Sequence, residues 1–297
     1  MRVFVTGASG WVGAATVPHL QAAGHTVTGL ARSDSSASAL RAAGVEPIRG
    51  SLDDTHGLAK AAAESDGVLH LAFMHDFSDY AASGRAEHAA VTAMLEALEG
   101  SDRPFLLASG IAGLTRGRAA TEQDRSPARG PESPRGGSEN LALDYAERGV
   151  RTVSLRFAPT VHGEGDHGFM ATLAGIARET GVAGYIGDGS NRWAAAARDD
   201  IGRMNALALE SARPGTAMHG VAEEGIPTRE IAEALGRALG VPTRSIPAQD
   251  AEAHFGWMSR FLGGDLVASS SQTQRLLGWK PNGPSLFGDI EAGFYTP

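Results

Sequence analysis

Thr6-Gly7-Ala8-Ser9-Gly10-Trp11-Val12-Gly13 follows a short apolar run at the start of the chain and leads into an alanine-rich stretch of helical period. Among 39 glycines, a Gly-x-x-Gly-x-x-Gly spacing means little by itself. Its place between a strand and a helix gives each glycine a task. Gly7 allows the tight turn out of the strand, Gly10 lets phosphates approach the backbone, and Gly13 lets the helix pack closely on the strand. The unpaired amides and positive dipole end of that helix, around Ser9, Gly10, Trp11 and Val12, then form a site for a pyrophosphate, with Thr6 opening the turn after the strand.

Outward from this turn, β-branched apolar runs at 2–5, 26–30, 45–48, 67–71, 105–109 and 151–157 alternate with helical patterns at 11–22, 36–43, 55–63, 84–98 and 137–148. Strands apolar on both faces, separated by helices, predict an α/β fold of Rossmann type, a doubly wound parallel sheet of right-handed βαβ units. The expected division is a dinucleotide-binding domain at 1–160 and a smaller, mostly helical substrate-binding lobe at 161–297. A strand at 216–221 is a candidate to rejoin the first sheet. Residues 113–136, rich in Arg, Pro, Gly and Ser without period, predict a surface loop that serves as a lid. In the second lobe the pattern predicts helices at 169–179 and at 228–239, the latter with Thr228 as N-cap. It also predicts a short extended piece at 245–247 and mostly helical structure toward Pro281. Arg198, Asp199 and Asp200 read as a capping and ion-pair cluster at a helix start.

A chain of 297 residues with 42% hydrophobic content can fill both units. The absence of cysteine excludes disulfides, thiolate nucleophiles and thiolate-held metals. A net charge of −8 without long charge blocks argues against a nucleic-acid surface and for a small-molecule substrate. Lone acidic residues in the Gly-rich stretch 163–168 do not predict a metal; that stretch reads as a gate to the substrate cleft. No apolar run approaches the length of about 20 residues that spans a bilayer, and no basic-then-apolar leader is visible. The expectation is a cytoplasmic protein without membrane association.

The Thr-Gly start and the glycine spacing resemble the short-chain dehydrogenase/reductase superfamily, in particular its extended and atypical branches related to NAD-dependent epimerases and dehydratases. The likeness continues through Gly50-Ser51-Leu52-Asp53, His70-Leu71-Ala72-Phe73, Leu107-Ala108-Ser109-Gly110 and Arg156-Phe157-Ala158-Pro159-Thr160-Val161-His162-Gly163. It closes on Gln274-Arg275-Leu276-Leu277-Gly278-Trp279-Lys280-Pro281. The resemblance implies that Asp53 approaches the adenine, that Leu71, Ala72 and Phe73 line the cofactor groove, and that Pro159, Thr160 and Val161 border the nicotinamide. A surface helix cap beside Asp54 is the other reading of Asp53. A helix-mediated homodimer is expected only by analogy with related proteins.

Proteins that prefer NAD usually place Asp or Glu at the end of the second strand, to bond the ribose 2′-hydroxyl. Here Ala31 stands there, followed by Arg32 and Ser33, a cation and a hydroxyl suited to a 2′-phosphate. The expected cofactor is therefore NADP, with Asp34 keeping NAD as the lesser reading.

The superfamily's usual proton chemistry needs Tyr-x-x-x-Lys. None exists: Tyr80, Tyr145 and Tyr185 are each followed four residues on by glycine, and Tyr295 is too near the end. The register puts Arg135 where the tyrosine belongs and Glu139 where the lysine belongs. Both are read as substrate contacts, with a helix-surface ion pair as the plainer alternative. Replacement acids are sought among His75 (with Asp76 beside it), His162 and His167, because histidine titrates near neutrality and these sit after strand ends. Ser109 is the candidate hydroxyl, and His167 is also read as a substrate contact. The expectation is an NADP-dependent oxidoreductase for a carbonyl or alcohol. The alternatives are an epimerase or dehydratase that recycles its cofactor, and a non-catalytic NADP-binding sensor.

Overall fold

Val3, Phe4 and Val5 have no exposed surface because the first strand, Arg2–Thr6 (β1), has strands on both edges and helices on both faces. A computed structural model describes residues 1–74, 79–133 and 135–296. In it β1 is followed by Thr26–Ala31 (β2), Glu46–Arg49 (β3), Gly67–His70 (β4), Pro104–Gly110 (β5) and Arg151–Phe157 (β6), which lie within two residues of the expected runs. Then come Thr160–His162 (β7), Ala183–Ile186 (β8), Arg192–Ala197 (β9), Thr216–Gly220 (β10), Glu223–Pro227 (β11) and Thr243–Ile246 (β12). The main sheet has the order β10-β6-β5-β4-β1-β2-β3, and every pairing in it is parallel. The strand order reverses between β1 and β4, which opens a crevice at their carboxyl ends.

The crossover helices are Trp11–Ala22 (α1), Asp34–Ala42 (α2), Thr55–Ala63 (α3), Tyr80–Leu98 (α4) and Gly136–Asp144 (α5). One core, with Val17, Leu20, Leu155 and Trp279, covers one face of the sheet. Another, with Phe4, Leu58, Met94 and Phe105, covers the other. Farther along, Phe169–Thr180 (α6), Arg198–Ser211 (α7) and Thr228–Leu239 (α8) precede the short helices Ala251–Phe255 (α9), Ser259–Leu262 (α10), Ser271–Leu277 (α11) and Leu286–Glu291 (α12). A third core, from α6, α8, α9 and α12, packs on β9.

Four strands were not expected, and β9 shows why. Trp193-Ala194-Ala195-Ala196-Ala197 has helical propensity, yet it pairs with β7 on one edge and β11 on the other. Trp193 and Ala195 belong to the third core, whereas Ala194 joins Ile111, Ala120 and Ala268 in a separate cluster. Burial on both faces overrides a weak intrinsic preference.

Two further expectations are corrected. Thr228 is the first residue of α8 and not its cap; its hydroxyl donates to Asn191 Oδ1 at 2.8 Å, which ties the helix start to the loop before β9. The segment 113–133 lacks helix and strand but is fastened to the chain's last third. Ala120 N–H donates to Val267 O at 2.8 Å, and Glu122, buried, accepts from both the N–H and the hydroxyl of Thr273. A strap held at both Ala120 and Glu122 is anchored at its centre, where a lid would be free.

Candidate functional site

Gly7 adopts φ +71°, and a Cβ on it would lie 2.8 Å from the Ala72 nitrogen. At Gly13 a Cβ would meet the Gly7 carbonyl oxygen at 2.0 Å, so α1 rests directly on the turn. Gly10 N–H donates to Gly7 O at 2.9 Å, and a Cβ on Gly10 would lie 3.1 Å from that oxygen. The resulting hollow, floored by bare backbone at a helix start, fits a dinucleotide's pyrophosphate. Thr6 holds the floor together: its hydroxyl lies 2.8 Å from His70 Nδ1 and accepts from Ala72 N–H at 3.2 Å. Trp11 closes one wall, donating from its indole to Val161 O at 2.8 Å. Arg198 lies 4.1 Å from the Trp11 ring centre and donates to the Trp11 carbonyl at 2.7 Å, a contact the sequence reading missed. His167 meets the same indole edge-on at 5.4 Å. The stretch 163–168 that carries it is tethered where Asp166 accepts from Tyr295 Oη at 2.9 Å.

His70 is wholly buried, and burial, followed by the nearby Arg135 cation, drives its imidazole down to about 3. It is neutral at working pH. A histidine in the unfolded chain titrates near 6.5, so the native state binds fewer protons between those values, and stability is lost as pH falls from 6.5 toward 3. Denaturant midpoints should therefore decline with acidification, and less steeply in His70→Asn. Parallel declines in variant and wild type would dismiss His70 as the cause.

Arg135 stands at the carboxyl ends of β4 and β5. It is one of two non-glycine residues at positive φ among those described, at +43°. Its Nη2 donates to Ala108 O at 2.7 Å, and its guanidinium carbon lies 4.3 Å from the Phe73 ring centre. Beneath it, Glu87 of α4 brings Oε1 to 4.0 Å from Arg135 Nη2. Burial pushes the Glu87 carboxyl up to about 7 against the opposing pull of Arg135 and the Ser138 hydroxyl. No feature of sequence flagged Glu87; a lone glutamate in an alanine-rich helix reads as solvated.

Other expected site residues are placed differently. Glu139 is buried beneath the strand ends, where its carboxylate is bound by protein groups. Its Oε1 accepts from Arg156 Nε at 2.6 Å and Ser154 Oγ at 2.7 Å, and its Oε2 accepts from Ser109 Oγ at 3.3 Å. The Ser109 proton is thus engaged within the same buried network. Among the described residues Glu139 makes no ion pair with Arg135, the pairing that helical spacing suggested. His162 is also corrected as a proton donor: alternation on β7 turns it inward with no exposure, and Nδ1 sits 2.6 Å from Asp289 Oδ2 of α12. His75 and Asp76 lie outside the described residues. Of the strand-end positions, Leu71, Ala72, Pro159 and Val161 are half-buried along the crevice, while Thr160 is buried.

At the nucleotide's far end, Arg32 is exposed just past β2 and has no ion pair among the described residues. The Ser33 hydroxyl caps α2, accepting from Ser36 N–H at 3.1 Å. Asp34 pairs with Arg49 at 2.9 Å. Asp53 is exposed beside Asp54, and it is Asp54 that caps α3. The three residues Arg198, Asp199 and Asp200 do not cap α7 but bind elsewhere. Asp199 pairs with His19, and buried Asp200 accepts from Arg203 and from the Asn282 and Gly283 amides.

A glycine cradle at the switch point of a wholly parallel sheet defines a dinucleotide-binding α/β protein. The chain belongs to the NAD dependent epimerase/dehydratase family, whose model matches residues 3–219. That places it in the extended short-chain dehydrogenase/reductase superfamily, and reductases are among its relatives. It is 44% identical to an uncharacterized protein of Schizosaccharomyces pombe, over 99% of this chain and 100% of that one. It is 30% identical to 2-alkyl-3-oxoalkanoate reductase of Stenotrophomonas maltophilia, over 82% of this chain and 77% of the other. The fold resembles that of Thermus thermophilus UDP-glucose 4-epimerase, solved in complex with NAD. There the TM-score is 0.74 at 22% identity, covering 100% of this chain and 99% of that one. Among the described residues no helix is long and apolar enough to cross a membrane.

Proposed function

We propose that the protein is an NADP-dependent oxidoreductase that reduces a carbonyl, or oxidises the corresponding alcohol, on a small organic molecule. The observation that carries the cofactor choice is the end of β2. Ala31 is buried and offers no carboxylate to a ribose hydroxyl, exposed Arg32 beyond it has no ion pair among the described residues, and Arg49 neutralises Asp34, which would otherwise repel a 2′-phosphate. Gly7, Gly10, Gly13 and the start of α1 would hold the pyrophosphate. Bound there, the nicotinamide supplies or accepts the hydride. The chain's own part is to orient and polarise: Arg135, fastened to Ala108 and Phe73 at the strand ends, offers a cation to a substrate oxygen on which negative charge develops. The likeness to a reductase of oxoalkanoates supports the carbonyl reading. The 2′-phosphate contact is tested by titrating NADPH and NADH into wild type and Arg32→Ala. Loss of a charge-assisted phosphate contact is expected to weaken NADPH binding by about tenfold or more while leaving NADH nearly unchanged. Equal NADPH affinities would refute it.

The family's name favours one second reading, an epimerase that recycles its nucleotide. Following NADPH absorbance against a panel of carbonyl compounds separates the two: net consumption supports reduction, and isomerisation with retained nucleotide supports epimerisation.

A further inference from the structure

A tyrosine is missing from its expected place, and the residue that stands there, Arg135, cannot give up a proton at neutral pH. His162 is sealed behind Asp289, and the Ser109 hydroxyl is committed to Glu139. Among the described residues His70, Tyr80 and Glu87 lie near the Arg135 cation, and Glu87 is the carboxyl that pairs with it. Glu87, on the second turn of α4, is 1% exposed and packs under the guanidinium at the ends of β4 and β5. Glu87 has Arg135 at 4.0 Å and the Ser138 hydroxyl beside it, yet three polar atoms of this buried cluster fall short of hydrogen-bond geometry. Glu87 Oε2, Arg135 Nε and Ser138 Oγ are all buried without a well-formed hydrogen bond among the described residues. Native structures rarely leave such a group of donors and acceptors unsatisfied unless something else completes it.

We propose that Glu87 is the proton donor of the site, passing its carboxyl proton to the substrate oxygen held by Arg135. The inference rests on the carbonyl-reduction reading above. As the carbonyl carbon gains hydride, the C=O π pair moves onto oxygen. A new O–H bond forms there while the Glu87 O–H bond breaks, and the carboxylate left behind faces the Arg135 cation. A proton from solvent restores the acid, and alcohol oxidation runs the same steps backward. The groups that bear on Glu87 are Arg135 and Ser138 at the start of α5 and, on its own helix, Tyr80, whose phenol burial pushes up. The helix packed on α4's other side, α3, adds no charged group to it among the described residues. Burial dominates and keeps the carboxyl protonated to about pH 7, so the acid is available where reduction needs it.

The test uses Glu87→Gln, which keeps size and polarity, and Glu87→Asp as a second variant. Infrared difference spectra of the protein alone, across the neutral range, should show a protonated-carboxyl band in wild type that disappears near pH 7 and is absent from Glu87→Gln. With NADPH and the reducible carbonyl found in the panel, Glu87→Gln should lose about 100-fold or more in kcat with NADPH affinity intact, the scale of general acid catalysis. In wild type, kcat for reduction should fall above pH 7 and kcat for alcohol oxidation below it. A merely structural role would not produce these opposite limbs. If Glu87→Gln does not fold, the wild-type limbs and the Glu87→Asp band decide. Turnover by Glu87→Gln within about threefold of wild type, or a band that persists in it, overturns the proposal alone. Absence of carbonyl reduction by wild type overturns the reductase reading and the proposal with it.

Discussion

Arg156→Met is expected to destabilise the protein by about 3–5 kcal/mol, as measured by denaturant unfolding, because it leaves a buried carboxylate without its cation. Arg156 has no exposed surface; its Nε meets Glu139 at 2.6 Å and its Nη1 lies 3.3 Å from His219 Nε2. Glu139, equally buried, retains only hydroxyl donors once the guanidinium is gone. Adding Glu139→Gln to Arg156→Met should recover most of the loss, since replacing both members of a buried pair is often close to neutral. A single-variant cost below about 1 kcal/mol would show that the pair is not what joins β5, β6 and α5. The comparison matters for function too, because the position expected to carry a catalytic lysine here belongs to a structural pair beneath the sheet end.

Gly13→Ala should be as damaging, and should also weaken nucleotide binding. The new methyl would sit 2.0 Å from the Gly7 carbonyl oxygen and 2.8 Å from the Ala8 Cα, both backbone atoms that move only if α1 withdraws from β1. The expected cost is about 3 kcal/mol or more in stability, with NADPH affinity reduced by about 100-fold. Gly10→Ala, whose Cβ would lie 3.1 Å from the Gly7 oxygen, is the milder companion. Thermal unfolding and NADPH fluorescence titration measure both. Wild-type affinity in Gly13→Ala would mean that the turn is not the phosphate cradle.

Glu87 and His70 pull stability in opposite directions with pH, although they lie near the same cation. His70 favours the native state at neutral pH and ceases to do so on acidification. Glu87 binds more protons in the native than in the unfolded chain between 4.5 and about 7, so its contribution is present in acid and lost as pH rises through that range. The wild-type profile sums the two, and single variants separate them.

The sequence by itself determined the nucleotide-binding half. Thr6 to Gly13, the six apolar runs and the helices between them are local patterns, and strand or helix follows from spacing that short-range physics enforces. Ala31 in the place of a carboxylate was legible for the same reason. Only the tertiary structure decided the rest. Whether Glu139 faces a substrate or Arg156 depends on which residues β5 and β6 bring beneath α5, partners up to 30 residues away in sequence. His162 faces inward because β7 pairs with β9, an alanine strand whose propensity points the other way. Glu87 acquires its unusual burial from α5 and the end of β5, which arrive beside α4 only once the sheet is assembled. Charge, burial and partner are properties of assembled surfaces, and an Arg, Glu or His in a linear sequence carries no mark of which it will meet.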